Sequence, residues 1–458
     1  MNKHILGLCV GLIISGCTLG PDYQGQSLPQ FEAEAHKALA FEAYNHQWWL
    51  SFNDTVLNEL VALSLSSNRD LQAARANIQA AAAVFDDTNN DDLPVLGALA
   101  QARSEKRWDG QGRSIHREFQ TGMSLNWSLD LFGKLERATQ AANAELASAR
   151  YAHQALRADI LSHLIGQYVQ VRGSQHRLNV AQENLMALGK TLSLVSLRAE
   201  QGLASELDVT RIEVQRLQLK SLLPVIEQEI RLAQYRLLAL AGELPNANNP
   251  WLKKLAEYHP LPDAAPQLAL GKPENALQRR PDIMQAEAEL IAATARLGVA
   301  KADWYPDISV QGFAGLLSPQ TNLLGSQTRA WQVTPGLVWQ GLDFASVAAR
   351  ERVAEANLRG QKAKYEQTVI QAIGETNRNL TTWVQQGRRQ DTLSLQVNQA
   401  QRALDIARVQ YKEGLTDLMS LLDTEREKLE AEHAHAEAQT QAYLALVEVY
   451  RSFAAGAS

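Results

Sequence analysis

Much that holds a secreted protein together, or equips an enzyme, is scarce in this sequence. Its 458 residues include two cysteines, Cys9 and Cys17, and Cys9 falls in a segment that reads as a removable signal. The exported chain therefore has no disulfide to form, although it would live in an oxidising compartment. Packing and oligomerisation must supply its stability. A basic face is missing too, and the net charge of −6 argues against a nucleic-acid binder. The apolar stretch from Ile5 to Ile14 is too short to cross a bilayer as a helix. No catalytic constellation stands out, and nothing asks for a cofactor. His433 and His435, the one suggestion of a metal pair, are two residues apart and lie on different faces of a helix, so they read as a solvated helix face. Proline is absent from Lys134 to Glu200, where only Gly166, Gly173 and Gly189 interrupt a run of Ala, Leu, Gln, Glu and Arg.

What is present begins with targeting. Met1-Asn2-Lys3-His4, the short apolar core and the small residues Ser15 and Gly16 are the parts of a secretory signal. Ser15-Gly16-Cys17 behind Leu12, Ile13 and Ile14 resembles a bacterial lipobox, which makes Cys17 the lipidated, palmitate-bearing first residue of the mature chain. Thr18, rather than an Asp, follows it. By resemblance to lipoprotein sorting in Gram-negative bacteria, that favours the outer membrane.

The stretch from Phe119 to Gly202 organises the rest. Phe119, Thr121, Met123, Leu125, Trp127, Leu129 and Leu131 alternate with Glu118, Gln120, Ser124, Asn126, Ser128 and Asp130, a strand with one apolar and one wet face. It runs into a proline-free helix that, at about 1.5 Å per residue, would be roughly 100 Å long. Other helices must sheathe it. Leu178, Ala181, Leu185, Leu188, Leu192 and Val195 step by threes and fours, the spacing of a coiled-coil-like seam.

This unit occurs twice, at one constant offset. Asp70 answers Asp282, Pro94 answers Pro306, Trp127 answers Trp339 and Gly202 answers Gly414. The apolar strand positions return as Trp331, Val333, Pro335, Leu337 and Trp339, and the seam as Leu393, Val397, Ala400, Leu404 and Ala407. The expected organisation is a signal peptide (1–16), a lipidated arm (17–53), a first repeat (54–241, hairpin 95–131), a Pro-rich linker (242–273), a second repeat (274–450, hairpin 307–342) and a tail (451–458). Each repeat should hold a shorter helix, a hairpin, a long helix and a returning helix. In the second repeat the shorter helix is expected over Glu274 to Asp303.

Four strands cannot close a barrel, and an open sheet leaves backbone groups unpaired in lipid. An oligomer must finish the cylinder. Three chains supply twelve strands, with the wet faces lining a water-filled lumen that continues into a helical tube. By this point the residues resemble the TolC-like outer-membrane efflux factors, in their lipoprotein branch of OprM, CusC and NodT type. The most specific matches are Cys17-Thr18-Leu19-Gly20-Pro21-Asp22-Tyr23, Trp48-Trp49 to Asp54, Asn68-Arg69-Asp70-Leu71, Arg279-Arg280-Pro281-Asp282-Ile283 and the turns at Gly202 and Gly414. Leu342-Asp343-Phe344-Ala345 departs from the family's frequent Asp-Gly-Gly run.

The resemblance implies a mainly α protein with a membrane β-barrel: a homotrimer whose 12-stranded barrel is continuous with a periplasmic α-helical barrel. It implies passive export driven by an inner-membrane pump, of RND type, through a periplasmic adaptor. Two alternatives stay open: a periplasmic coiled-coil tether without a channel, and the duct of a type I secretion system. The exported substrate, whether drug, metal ion, dye or polypeptide, is not legible in a conduit.

Two sets of site residues follow. Gly202 and Gly414 suit turns with positive φ, Ser205 and Thr416 stand where the returning helices need caps, and the resemblance places both turns at the adaptor-docking tip. Met419 and Asp423 share a helix face and match the family's apolar and acidic aperture rings. Arg211, the first-copy counterpart of Asp423, is the expected charge partner across a closed tip.

Overall fold

The computed structural model describes residues 18–25, 47–108, 110, 112–261, 276–318 and 329–453. Cys17, most of the arm and much of the linker lie outside them. The helices are α1 (Thr55–Ser67), α2 (Arg69–Asn89), α3 (Lys134–Glu200), α4 (Glu206–Leu240), α5 (Pro250–Ala256), α6 (Ala276–Arg279), α7 (Pro281–Ala302), α8 (Phe344–Lys412) and α9 (Leu418–Ser452). The strands are β1 (Val95–Trp108), β2 (Arg113–Leu129), β3 (Asp307–Ser318) and β4 (Arg329–Val338). The fold is mainly helical with one small antiparallel sheet. Among the described residues no helix is long and apolar enough to cross a membrane. The described residues divide between two compact units, one drawn from Met1–Ser27, Ala76–Arg150 and Gln285–Gln367, the other from Leu28–Arg75, Tyr151–Met284 and Thr368–Ser458.

The first unit carries the sheet, in the order β1-β2-β3-β4. Directly paired residues share a face, and the register sets Ala98, Met123, Ala314 and Trp331 in one row and Leu96, Leu125, Gly312 and Val333 in the next. One face is thus apolar across all four strands. On the other, Gln101 donates to Gln120 at 2.7 Å and Asn126 pairs with Gln311. Pro335 has no N–H to donate, which an edge strand such as β4 tolerates. Trp127 donates to the carbonyl of Asp92 at 2.8 Å, and Trp339 to that of Trp304 at 3.0 Å. The two bonds span the same separation along the chain, 35 residues. Arg137 is buried and ties down the arm, donating to the Leu19 carbonyl at 3.0 Å and to Asp22 at 2.7 Å.

The second unit packs around Trp48, stacked on Tyr450 at 4.3 Å. Arg280 holds the end of α9: it donates to Asp282 at 2.8 Å, to Glu375 at 2.7 Å and to the Ser452 carbonyl at 2.9 Å, while Arg451 grips the other oxygen of Glu375. The seam is real. Ala181 and Leu188 cluster with Leu219 and Ile226, and Val195 with Ile212, Leu404, Ala407 and Tyr411.

Four expectations are corrected. β2 begins at Arg113, ahead of the alternation that starts at Glu118, and β1 runs beside it to Trp108, because pairs such as Arg103 with Glu118 carry the ladder through residues that are not apolar; Leu131 falls beyond the strand. The helix expected over Glu274 to Asp303 breaks after Arg279, since Pro281 disfavours helical backbone before it and starts α7. The Pro-rich linker holds a helix, α5, capped by Asn249 with Pro250 in its first turn. His433 is not solvated: it is half-buried against Arg177, whose Nη2 lies 3.2 Å from its ring nitrogen, and burial and that guanidinium hold its pKa below the usual value.

Candidate functional site

The two helix reversals are built alike. Gly202 and Gly414 have φ of +74° and +73°, a region that L side chains avoid. Leu203 donates to the carbonyl of Arg198 and Leu415 to that of Gln410, both at 2.8 Å, closing the last turn of each long helix from beyond its glycine. Ser205 caps α4 in a capping box with Asp208. Thr416, expected to cap α9, does not. Asp417, the second-copy counterpart of Ser205, accepts from the Ser420 N–H at 2.8 Å instead, because its carboxylate reaches the third residue on. Leu203 and Leu415 are exposed at 67% and 77%, and a Cβ at either glycine would meet nothing within 4 Å. Each turn is an open surface flanked by an apolar side chain.

Met419 and Asp423 are both exposed on α9, one helical turn apart. Within the chain the structure does not join Asp423 to Arg211. Asp423 pairs with Arg426 at 3.2 Å, and Arg211 points its Nη1 at the Met419 sulfur, 3.2 Å away. The tip also holds contacts that sequence reasoning missed. Arg198 stacks on the Tyr411 ring at 4.8 Å and donates to the Tyr411 carbonyl at 3.2 Å. Glu425, 7% exposed, accepts from Thr191 at 3.0 Å and from Arg408 at 3.3 Å, linking α9 to α3 and α8. Tyr411 could have been found, because the sequence has Ala199 at the matching place before the other reversal, and a difference between matched positions marks a contact that only one of them makes. Nothing in the sequence singles out Glu425.

A sheet with one apolar and one polar face, and long antiparallel helices ending in open, glycine-closed turns, are the parts of an outer-membrane channel protein. The chain belongs to the outer membrane efflux protein family, whose model matches residues 60–243 and 273–455. It is 29% identical to nodulation protein T of Rhizobium leguminosarum bv. viciae over 94% of this chain and 89% of that one. It is 27% identical to outer membrane protein OprJ of Pseudomonas aeruginosa over 100% and 97%. The solved outer-membrane channel OprN superposes with a TM-score of 0.90 at 34% identity, over 96% of this chain and 100% of that one. The protein is an outer-membrane efflux channel, not an enzyme.

Proposed function

We propose that the chain is one third of a homotrimeric exit duct of a tripartite efflux system. Three four-stranded sheets would join edge to edge into a 12-stranded barrel in the outer membrane, and the long helices into a periplasmic tube. The observation that carries this reading is the sheet itself. Its edges β1 and β4 have no partner among the described residues, and Met123, Trp331, Val333 and Leu337 of its apolar face are exposed at 58–80%. Unpaired backbone is costly in lipid. Edge-to-edge closure removes it and turns the apolar face to the acyl chains. The turns at Gly202 and Gly414, with Ser205 and Thr416 beside them, would receive a periplasmic adaptor joined to an inner-membrane pump of RND type. Met419, Asp423 and Arg211 would line the aperture, and a lipidated Cys17 would add an anchor.

Conductance in a planar bilayer tests the duct. Purified full-length protein should run as a trimer and open water-filled channels. A trimer that never conducts would leave a tether in place of a duct.

A further inference from the structure

The turn end of the β1-β2 hairpin carries charge that conduction does not account for. Directly paired residues share a face, and the register runs unbroken from Val95 with Asn126 to Trp108 with Arg113. The face that holds Met123 and Trp331 therefore continues toward the turn as Ala102 with Phe119, Ser104 with Arg117, Lys106 with Ile115 and Trp108 with Arg113. Its charged residues over all four strands are Lys106, Arg113, Arg117 and Arg329, the last opposite Leu316. All are exposed cations, and among the described residues none of them has an ion-pair partner. The strand acids Glu105, Glu118 and Asp307 stand on the other face. There Arg103 bonds Glu105 at 3.2 Å and lies opposite Glu118. Trp108 and Ile115, set in the same rows as the cations, are exposed at 69% and 61%. Asp109, in the turn, lies outside the described residues.

The heights fit a membrane surface. With a rise of about 3.4 Å per residue and a strand tilt of about 40°, Phe119 to Leu129 covers roughly 25 Å, the apolar band of an outer-membrane barrel. Arg117, Ile115 and Arg113 then stand about 5, 10 and 15 Å past its edge. That edge is the outer one, because β2 and β4 lead at their other ends to α3 and α8, and the channel extends into the periplasm. The outer leaflet of such a membrane is a glycolipid whose glucosamine headgroup carries phosphates directly above the acyl chains. Arginine meets phosphate with a fork of donors, lysine carries its charge on an apolar stem, and exposed aromatic side chains suit that boundary. A nucleic acid or an acidic protein would match the cations but not Trp108 and Ile115 among them.

Resting on the barrel reading above, we propose that the outward face of this hairpin end binds the phosphorylated headgroup of an outer-leaflet glycolipid. Lys106, Arg113 and Arg117 meet the phosphates, and Trp108 and Ile115 pack at the boundary of sugar and acyl chains. The contact fixes the height of the barrel in the membrane.

Fluorescent diphosphoryl lipid A, titrated into purified full-length trimer in detergent, should bind saturably, and its dephosphorylated form at least tenfold more weakly. Lys106→Gln, Arg113→Gln and Arg117→Gln together should weaken binding at least tenfold with trimer and conductance unchanged, since the ladder there is backbone pairing. Arg103→Gln, on the other face, should bind as wild type does. If the triple variant does not assemble, the comparison of the two lipids decides together with Arg103→Gln. Equal affinity for the two lipids, wild-type binding by the triple variant, or an equal loss from Arg103→Gln would each overturn the proposal. So would an oligonucleotide that displaces lipid A with equal affinity, the mark of a generic polyanion surface. Conductance keeps two failures apart: conducting trimers that ignore lipid A overturn this proposal alone, whereas trimers that never conduct remove the outward face on which it rests.

Discussion

Gly173→Ala should destabilise the protein although alanine is the better helix former. A Cβ built on Gly173 would stand 2.6 Å from Cγ2 and 2.9 Å from Cβ of Thr440, and closer still to the hydroxyl. Thr440 has nowhere to go: it is 4% exposed and donates to the Ala436 carbonyl at 2.9 Å. α3 and α9 must therefore separate. Over-packing a core costs about 1–3 kcal/mol, and three close atoms argue for the upper end. Helix propensity returns about 1 kcal/mol, leaving a net loss of about 2 kcal/mol by that difference. Thr440→Ala removes the hydroxyl and Cγ2, so in the double variant the remaining overlap needs only a small shift. The cycle should show coupling of about 2 kcal/mol. Urea midpoints from far-UV circular dichroism read it for the four proteins. The reasoning is refuted if Gly173→Ala raises the midpoint, or if the loss from Thr440→Ala adds to its loss instead of relieving it.

Burial alone raises the Glu375 carboxyl, but Arg280 and Arg451 outweigh it and hold its pKa below 4.5. The stability this adds is present above the unfolded value and lost as pH falls through the lower folded value. Helical stability should therefore decline below about pH 4.5, and Glu375→Gln, weaker at pH 7, should flatten that limb; an unchanged slope counts against the clamp. Gly202→Phe and Gly414→Phe should abolish export in an accumulation assay with the trimer intact by cross-linking, while Asn at either site, which tolerates positive φ, should keep it. Loss of the trimer would assign the glycines to helix termination alone. Asp423→Ala should raise single-channel conductance and reduce cation preference, and the gate assignment fails if neither moves. Labelled palmitate should be incorporated by wild type and not by Cys17→Ser; retained label would place the lipid elsewhere.

The sequence was most legible where one local rule decides the outcome. Alternation from Phe119 to Leu129 marked a strand, and missing proline from Lys134 to Glu200 marked a helix, because period and propensity are properties of neighbours in the chain. The turns were legible for the same reason: Gly202 and Gly414 are the residues that accept positive φ. It was least legible where a distant partner decides. β1 runs through Arg103 to Arg107 because β2 lies beside it. Arg280 meets Glu375 and Ser452, 95 and 172 residues away, partners that no local pattern announces. The Thr416 cap failed on a finer point, since two adjacent polar residues both suit the position and only the backbone shows that Asp417 takes it.

The two helix reversals separate what a turn needs from what the side chains around it do. Reversing two helices takes one glycine, one cap and one hydrogen bond past the glycine, and both copies keep all three at the same offset. Side chains between the two hairpins are under the opposite demand. They pack against the other copy, not against themselves, so paired positions must be complementary and therefore different. Tyr411 stands where the first copy has Ala199, and its ring receives Arg198. Where the residue is unchanged, its surroundings are not. Glu213 forms a half-exposed pair with Arg216 at 2.6 Å along its own helix, whereas Glu425, its counterpart in the second copy, is buried between Thr191 and Arg408. A carboxylate that only decorated a helix could be lost from either copy at little cost. One buried across three helices, with its second oxygen unpartnered among the described residues, holds α9 to α3 and α8 through few bonds. Replacing Glu425 should therefore loosen the tip, and the equivalent change at Glu213 should not.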